Sequence, residues 1–546
     1  MKNKFKDNKG VMAVYVTVTV LSFLVLASGI LTGATTVRKN QLRTIIEIKK
    51  VYEQDVDNKQ AIYEQLATER KFTGGIFDAI KGVNTPKISE EMVPVVWNDT
   101  DKSWYVCNST DTTWYNYNTS NKQWANIMLR DGLTIEGISE ISSATLETLV
   151  GKKVLTPGSM FVWIPRFGYQ ISSNLYSNTA GAVNIVFLQG TTNLNASGGT
   201  VNTTYPTVSN NGMGDYVVHP AFTSNIENGG WNKDISGFWV SKFPAGFQQN
   251  TITDNNGTLA DTISNSGNTM YYSGKNYTSY NSNFATNALN QDLTMLPTMS
   301  YPVFKPLTYA YNNISIGDSY TLSKEIGNAT SFYGISDVDS HLMKNSQWGA
   351  VAYLIRSNYG IQTEPIINEY YISEASPYKV ALTGVYDTVG IDGTQTLSNP
   401  YYSATGQGGS GTGNIYGVYD LNGCIWEAVA AYTDNPAGTD VRASFGASIV
   451  SAEAKHKTIY PYNTSGDSDV NNWTTYSSSG ITRFGDAILE TSTAGNGQAC
   501  WNGDSSHYPN TTYPFITRGG AYNSETAAGI FAYDDNSGEP SYDLRI

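Results

Sequence analysis

The sequence predicts an α+β protein with an N-terminal transmembrane and amphipathic helix, a small β-rich module and a large, insertion-rich α+β domain. Three observations predict it. An apolar run without a charge, residues 11–33, follows a Lys-rich head. Trp97, Trp104, Trp114 and Trp124 recur at spacings of 7, 10 and 10 residues among Asn, Asp, Ser and Thr. Beyond residue 155, short aromatic strand-like runs surround one helical run and long tracts of Asn, Thr, Ser and Gly.

The 546 residues are enough for a sizeable core. With 15% charged and 40% hydrophobic residues, the chain is not a disordered polyelectrolyte. A net charge of −13 argues against nucleic acid as a partner, because phosphate neutralisation needs Lys and Arg. A weakly charged surface with 38 Tyr and 51 Gly points to an extracytoplasmic protein. Cys107, Cys424 and Cys500 form no Cys-x-x-Cys pair, which excludes zinc-ribbon and thioredoxin readings. His219, His341, His456 and His507 show no metal-centre spacing.

The first element is the N-terminal helix. Residues 11–33 are long enough to span roughly 30 Å of hydrocarbon. Basic residues flank both ends (Lys2, Lys4, Lys6 and Lys9 before, Arg38, Lys39 and Arg43 after), so the positive-inside rule sets no orientation. Leu42, Ile45, Ile46, Ile48, Val51 and Tyr52 continue at helical spacing, an amphipathic extension to about residue 70. A plain single-span anchor and a signal cleaved near Gly33-Ala34 both fit this pattern. A Lys-rich leader ending in Gly10, followed by an apolar helix and an amphipathic continuation, also resembles a type IV pilin-like N-terminus over residues 1–70. That resemblance implies cleavage between Gly10 and Val11 and pilin-like subunits as partners. It departs from the family at Tyr15, where most members carry Glu. All three readings place the bulk of the chain outside a membrane spanned by residues 11–33.

Gly74-Gly75, Gly82 and Pro86 mark residues 71–91 as a linker. Residues 92–130 hold the four tryptophans, read as short strands with Trp as their core; rows of exposed aromatics for binding sugars are the competing reading. Residues 131–154 connect to the main domain at 155–546. Its insertions are expected as surface loops near 175–215, 250–290, 393–414 and 435–480.

Within that domain, Phe161–Phe167 and Gly237–Phe243 read as strands. The run from Ser340 to Leu354 reads as an amphipathic helix with Asn345 or Ser346 as N-cap and Trp348, Val351, Ala352 and Leu354 facing the core. Asn414-Ile-Tyr-Gly-Val-Tyr-Asp-Leu-Asn-Gly-Cys-Ile-Trp-Glu427 follows, then Thr517-Arg-Gly-Gly-Ala-Tyr522 and a terminal Asp543-Leu544-Arg545. Trp348 and Trp426 are expected in the core, and Arg518 suits a bidentate pair with a buried carboxylate. In this order the motifs resemble the formylglycine-generating-enzyme-like (sulfatase-modifying factor) domain, a branch of the C-type-lectin-like fold, over roughly 155–546.

The resemblance implies a calcium ion held by the side chains of Asp420 and Glu427 and the carbonyls of Gly423 and Ile425, an oxygen set that suits a hard cation. It does not extend to catalysis. Copper is not expected, because the late cysteine pair of the oxidases is missing and Cys424 stands where the family has Asn. Recognition or adhesion is the function it implies. The ligand, an extracellular protein or glycan, would meet Tyr522, Asn523, Tyr533, Asp534, Asp535 and Asn536, a composition that paratopes favour. A purely structural pilus or surface component is the alternative, and an enzyme of unknown type the third.

Overall fold

The computed structural model describes residues 72–246 and 301–546, apart from 309, 312–313, 329, 376–377, 388–396, 463–468, 479–482, 495, 541–543 and 546. The basic leader, Gly10 and Val11, the stretch 11–33, its amphipathic extension and the 250–290 insertion lie outside the described residues. Among the described residues, no helix is long and apolar enough to cross a membrane.

The tryptophan segment opens a five-stranded sheet. Strands β1 (Val93–Asn98) and β2 (Ser103–Val106) form a hairpin with Trp97 opposite Trp104. Strand β3 (Asn126–Met128) pairs the other edge of β1. Strand β4 (Met160–Pro165) continues the sheet from β3. The run expected as one strand over 161–167 is broken at Pro165-Arg166, and the chain changes sheets there. Proline has no N–H to offer a ladder. The buried Arg166 guanidinium fixes the crossing by donating to Phe222 O and Thr192 O (2.9 Å) and pairing with Asp234 (2.8 Å). Strand β5 (Phe167–Ile171) then forms a second sheet between β6 (Val183–Phe187) and β7 (Val217–Val218). Strand β8 (Gly237–Ser241) returns to the outer edge of β4, giving the antiparallel order β8-β4-β3-β1-β2.

Helices α1 (Ile316–Ser323) and α2 (Asn345–Arg356) follow. The N-cap of α2 is Lys344, one residue before the expected Asn345. The Gln347 side-chain oxygen accepts the Lys344 N–H at 2.9 Å and so closes the first turn. The helix is also not amphipathic, because every residue from Asn345 to Ile355 is buried. Gly349 makes this possible: a Cβ there would lie 2.1 Å from the carbonyl oxygen of Gly485.

The third sheet carries the C-terminal motifs. Strand β9 (Trp426–Thr433) pairs in parallel with β10 (Thr458–Tyr460) and antiparallel with β11 (Phe515–Gly519). Strand β12 (Gly529–Asn536) borders β11. The chain's last strand, β13 (Leu544–Arg545), adds in parallel beside Trp426 and Glu427. The architecture is α+β.

Two expected boundaries dissolve in this arrangement. Residues 73–546 form one compact unit. The 92–130 segment is not a module of its own, since β1, β2 and β3 share a sheet with β4 and β8. Val93, Val95, Trp97 and Trp104 also share a hydrophobic core with Ala428, Tyr432, Phe515 and Leu544. Trp97, Trp104, Trp114 and Trp124 are all buried, so they serve as core and not as a sugar platform. The expected linker is likewise part of this unit from Thr73 onward: the Asn84 amide donates to Ser236 O (2.9 Å) and Gly190 O (3.0 Å). In the tract 393–414, the residues Gly406, Gly409, Ser410 and Gly411 are buried instead of looping over the surface. The 435–480 insertion supplies β10 to the third sheet.

Candidate functional site

The 414–427 block folds as a tight turn leading into β9. Asp420 (φ 59°), Gly423 (φ 78°) and Cys424 (φ 62°) all take left-handed backbone. At Gly423 a side chain is excluded, because a Cβ would lie 2.5 Å from the carbonyl oxygen of Asn368. The Asp420 carboxylate is buried and met by donors: Asn368 Nδ2 (3.0 Å) and Tyr386 OH (2.7 Å) on Oδ1, and the Gly384 N–H (2.6 Å) on Oδ2. Arg545 Nη2 donates to Asp420 O (3.0 Å) and to Glu427 Oε1 (3.1 Å). Burial pushes the Glu427 carboxyl up to about 7, against the pull of Arg545. Hydrogen-bond donors thus occupy both Asp420 oxygens, and a guanidinium faces Glu427. Of the Asp420, Gly423, Ile425 and Glu427 set expected for calcium, the two carboxyl groups are thus engaged by protein donors. They anchor the last strand of the chain. Cys424 packs against Ala310, Ala381 and Ile425, and burial pushes its thiol up to about 12.

Arg518 is buried but holds no carboxylate bidentately. Its Nη2 donates to Ala487 O (3.1 Å), and its guanidinium lies over the Trp348 ring at 5.4 Å.

The six expected ligand-contacting residues fall into two places. Tyr522 and Asn523 lie on the connection from β11 to β12, where Tyr522 packs on Tyr371 (centroids 4.7 Å apart). Asp534, Asp535 and Asn536 end β12, with Asn536 opposite Phe515 at the far end of the β11 ladder. Tyr533 is fully buried, its hydroxyl 3.3 Å from Ser492 Oγ, so it faces no ligand. At the Asp534 end, His507 Nδ1 lies 2.9 Å from Asp534 Oδ1, and Asn510 Nδ2 donates to Asp535 Oδ2 (2.7 Å).

The fold also assembles groups that spacing did not connect. His341 and His456 are far apart in sequence, yet their rings stack with centroids 4.7 Å apart. Asp339 completes the cluster, its Oδ1 2.7 Å from His456 Nε2 and its Oδ2 2.8 Å from Lys455 Nζ. These contacts hold the Asp339 carboxyl well below the usual range despite its desolvation. Burial, reinforced by the charge of Lys344, pushes His341 down to about 3. Lys344 is itself buried against Gly230 O (2.7 Å) and pushed down to about 7.

A second buried network centres on Glu490. Tyr169 OH and Tyr353 OH each donate to it at 2.7 Å and the Gly485 N–H at 2.6 Å, while burial pushes its carboxyl up to about 7. His219 lies nearby among Phe167, Tyr169 and Phe222, caps the Pro220 turn through Nδ1 (3.2 Å from the Ala221 nitrogen), and is driven down to about 3 by burial.

Among the described residues, two of the surface clefts are well formed. The larger, about 940 Å³, lies between Glu90, Arg130, Leu146 and Phe332, with Arg130 committed to the carbonyls of Ile141 (2.5 Å) and Ala144 (2.8 Å). The other, about 570 Å³, is walled by Tyr205, Pro206 and Phe484 and rimmed by Thr203, Thr204, Thr207, Asn225 and Glu227. Cys107, Cys424 and Cys500 are each buried and unpaired. The sequence pattern of no known family matches the chain, and no curated protein resembles it significantly.

Proposed function

We propose that the chain is a membrane-anchored, outward-facing surface protein whose folded body serves recognition or adhesion, as a minor pilin-like subunit. The supporting observation is the cleft of about 570 Å³ on the 175–215 segment. It joins two aromatic faces, Tyr205 and Phe484 with centroids 4.9 Å apart, to hydroxyl, amide and carboxylate groups on its rim. Aromatic surface beside hydrogen-bonding groups in a concave cleft suits a small polar ligand. It replaces the Tyr522–Asn536 stretch as the favoured binding face, since that stretch is split between two ends of a strand. Three separately buried thiols support binding over thiol oxidation, because metal–thiolate chemistry needs two sulfur ligands together.

The test is the N-terminus of the protein recovered from its native membrane, together with adherence of cells carrying Tyr205→Ala. A chain starting at Val11 and a loss of adherence support the proposal. A start near residue 34 refutes the anchor, and undiminished adherence refutes the cleft.

A further inference from the structure

Asp339, His341 and His456 come from two distant segments, yet one ligand atom from each lies within 4.8 Å of the other two. The hydrogen bonds assign the ring protons. Gln347 Oε1 accepts the Lys344 N–H, which identifies it as oxygen, and the same atom lies 3.1 Å from His341 Nε2. An amide oxygen only accepts, so His341 carries its proton on Nε2 and its lone pair on Nδ1. That Nδ1 is buried and has no hydrogen-bond partner among the described residues. A buried acceptor left unmatched costs about 1–3 kcal/mol, and such an atom calls for an explanation. His456 is 1% exposed, and its Nε2 faces the ionised Asp339, so the proton shared by this pair lies between them. The other nitrogen of that ring, Nδ1, faces Tyr320 OH at 3.3 Å and is held in place.

We propose that Asp339, His341 and His456 bind a divalent transition-metal cation of the zinc class through His341 Nδ1, His456 Nε2 and Asp339 Oδ1. Two imidazoles and one carboxylate form a borderline donor set that suits zinc or cobalt better than calcium or magnesium. Three protein ligands leave a fourth position open to water or to a ligand. In a tetrahedral site with metal–nitrogen bonds of roughly 2.0–2.1 Å, ligand atoms sit roughly 3.3 Å apart. Closing from the present spacing requires the two rings, stacked 18° from parallel, to turn until their lone pairs converge. Uptake moves the His456 proton to Nδ1, toward the Tyr320 hydroxyl oxygen, which frees the Nε2 lone pair, and the cation takes the proton's place between Nε2 and Asp339 Oδ1. Gln347 acts as a positioning residue that holds the His341 tautomer. Lys455 opposes the metal by pairing with Asp339 Oδ2. The site does not depend on the recognition reading.

The test is titration of the metal-free full chain with Co²⁺, followed by its visible absorption, and with Zn²⁺ by calorimetry. One bound equivalent with the strong bands of four-coordinate Co²⁺ is expected. His341→Leu and Asp339→Asn should each weaken binding at least tenfold, while His507→Ala, in the other His–Asp cluster, leaves it unchanged. His456 is too buried to replace safely. Lys455→Met, at a side chain 19% exposed, supplies the independent check and should tighten binding severalfold. No bound equivalent, an affinity indifferent to both His341→Leu and Lys455→Met, or a loss in His507→Ala overturns the site.

Discussion

Replacing Glu490 by Gln should change how the stability of this protein depends on pH. Glu490 is fully buried, and its partners, two tyrosine hydroxyls and a backbone N–H, are all neutral. Burial raises its carboxyl from 4.5 to about 7 in the folded chain. A carboxyl that titrates higher when folded stabilises fully below its unfolded pKa. That stabilisation is then lost as pH rises through the folded one. The separation corresponds to about 3 kcal/mol, lost mostly between pH 5 and pH 8. Gln keeps the shape and stays neutral throughout. It introduces an NH₂ beside a tyrosine hydroxyl that must turn to accept, a pH-independent cost of about 1 kcal/mol. The slope, not the offset, is therefore the readout. Urea unfolding of both proteins at pH 5, 6, 7 and 8 should show the wild type losing about 2.5 kcal/mol more than Glu490→Gln across the range. Parallel stability curves would refute the reasoning, since Glu490 would then ionise as readily folded as unfolded.

Arg545→Met should destabilise by about 3–5 kcal/mol at pH 8, because it leaves the buried Glu427 without its cation. The loss should shrink at pH 5, where Glu427 is protonated, and urea midpoints at both pH values check this. Gly349→Ala should cost about 1–3 kcal/mol, read as a lower Tm, because its methyl meets the Gly485 carbonyl inside a packed helix contact. Millimolar calcium should leave Tm unchanged, because the Asp420 oxygens already hold three donors. A calcium-dependent rise abolished by Asp420→Ala would reinstate the calcium set.

The periodic and motif-bearing segments were the legible ones. Trp97 and Trp104 announced a hairpin core, and the helix around Trp348 was readable to within one residue of its cap. What a linear reading misses is partnership between distant segments. The tryptophan strands looked self-contained because their spacing is local, whereas β3 pairs with β4 across a connection that no pattern marks. Pro165 was the available signal that the run 161–167 could not stay in one ladder. Tyr533 looked like a ligand residue on composition alone. Its burial follows from β12 being covered on both edges, by β11 and by the Ser506 segment. His341 and His456 carried no spacing signal, since each acquires its role only when Lys344 and Gln347 close the start of α2 against the segment before β10. The sequence reading made Glu427 a calcium ligand and gave Arg545 no partner; only the parallel pairing of β13 with β9 brings the Arg545 guanidinium to Glu427.

The same helix, α2, serves both of the buried polar centres. Gln347 in its first turn orients His341, and Tyr353 near its end donates to Glu490. The two centres respond to pH differently. Burial drives His341 down to about 3, and the contacts of Asp339 hold its carboxyl well below the usual range, so both are free to take a cation from pH 5 to pH 8. Stabilisation linked to the buried Glu490 carboxyl falls over the same range. With a cation at a hundred times its Kd, the metal contributes about 2.7 kcal/mol. Zn²⁺ should therefore raise Tm in the wild type and in Glu490→Gln and leave it unchanged in His341→Leu. A Zn²⁺-dependent rise that survives His341→Leu would mean that the cation binds somewhere other than between His341, His456 and Asp339.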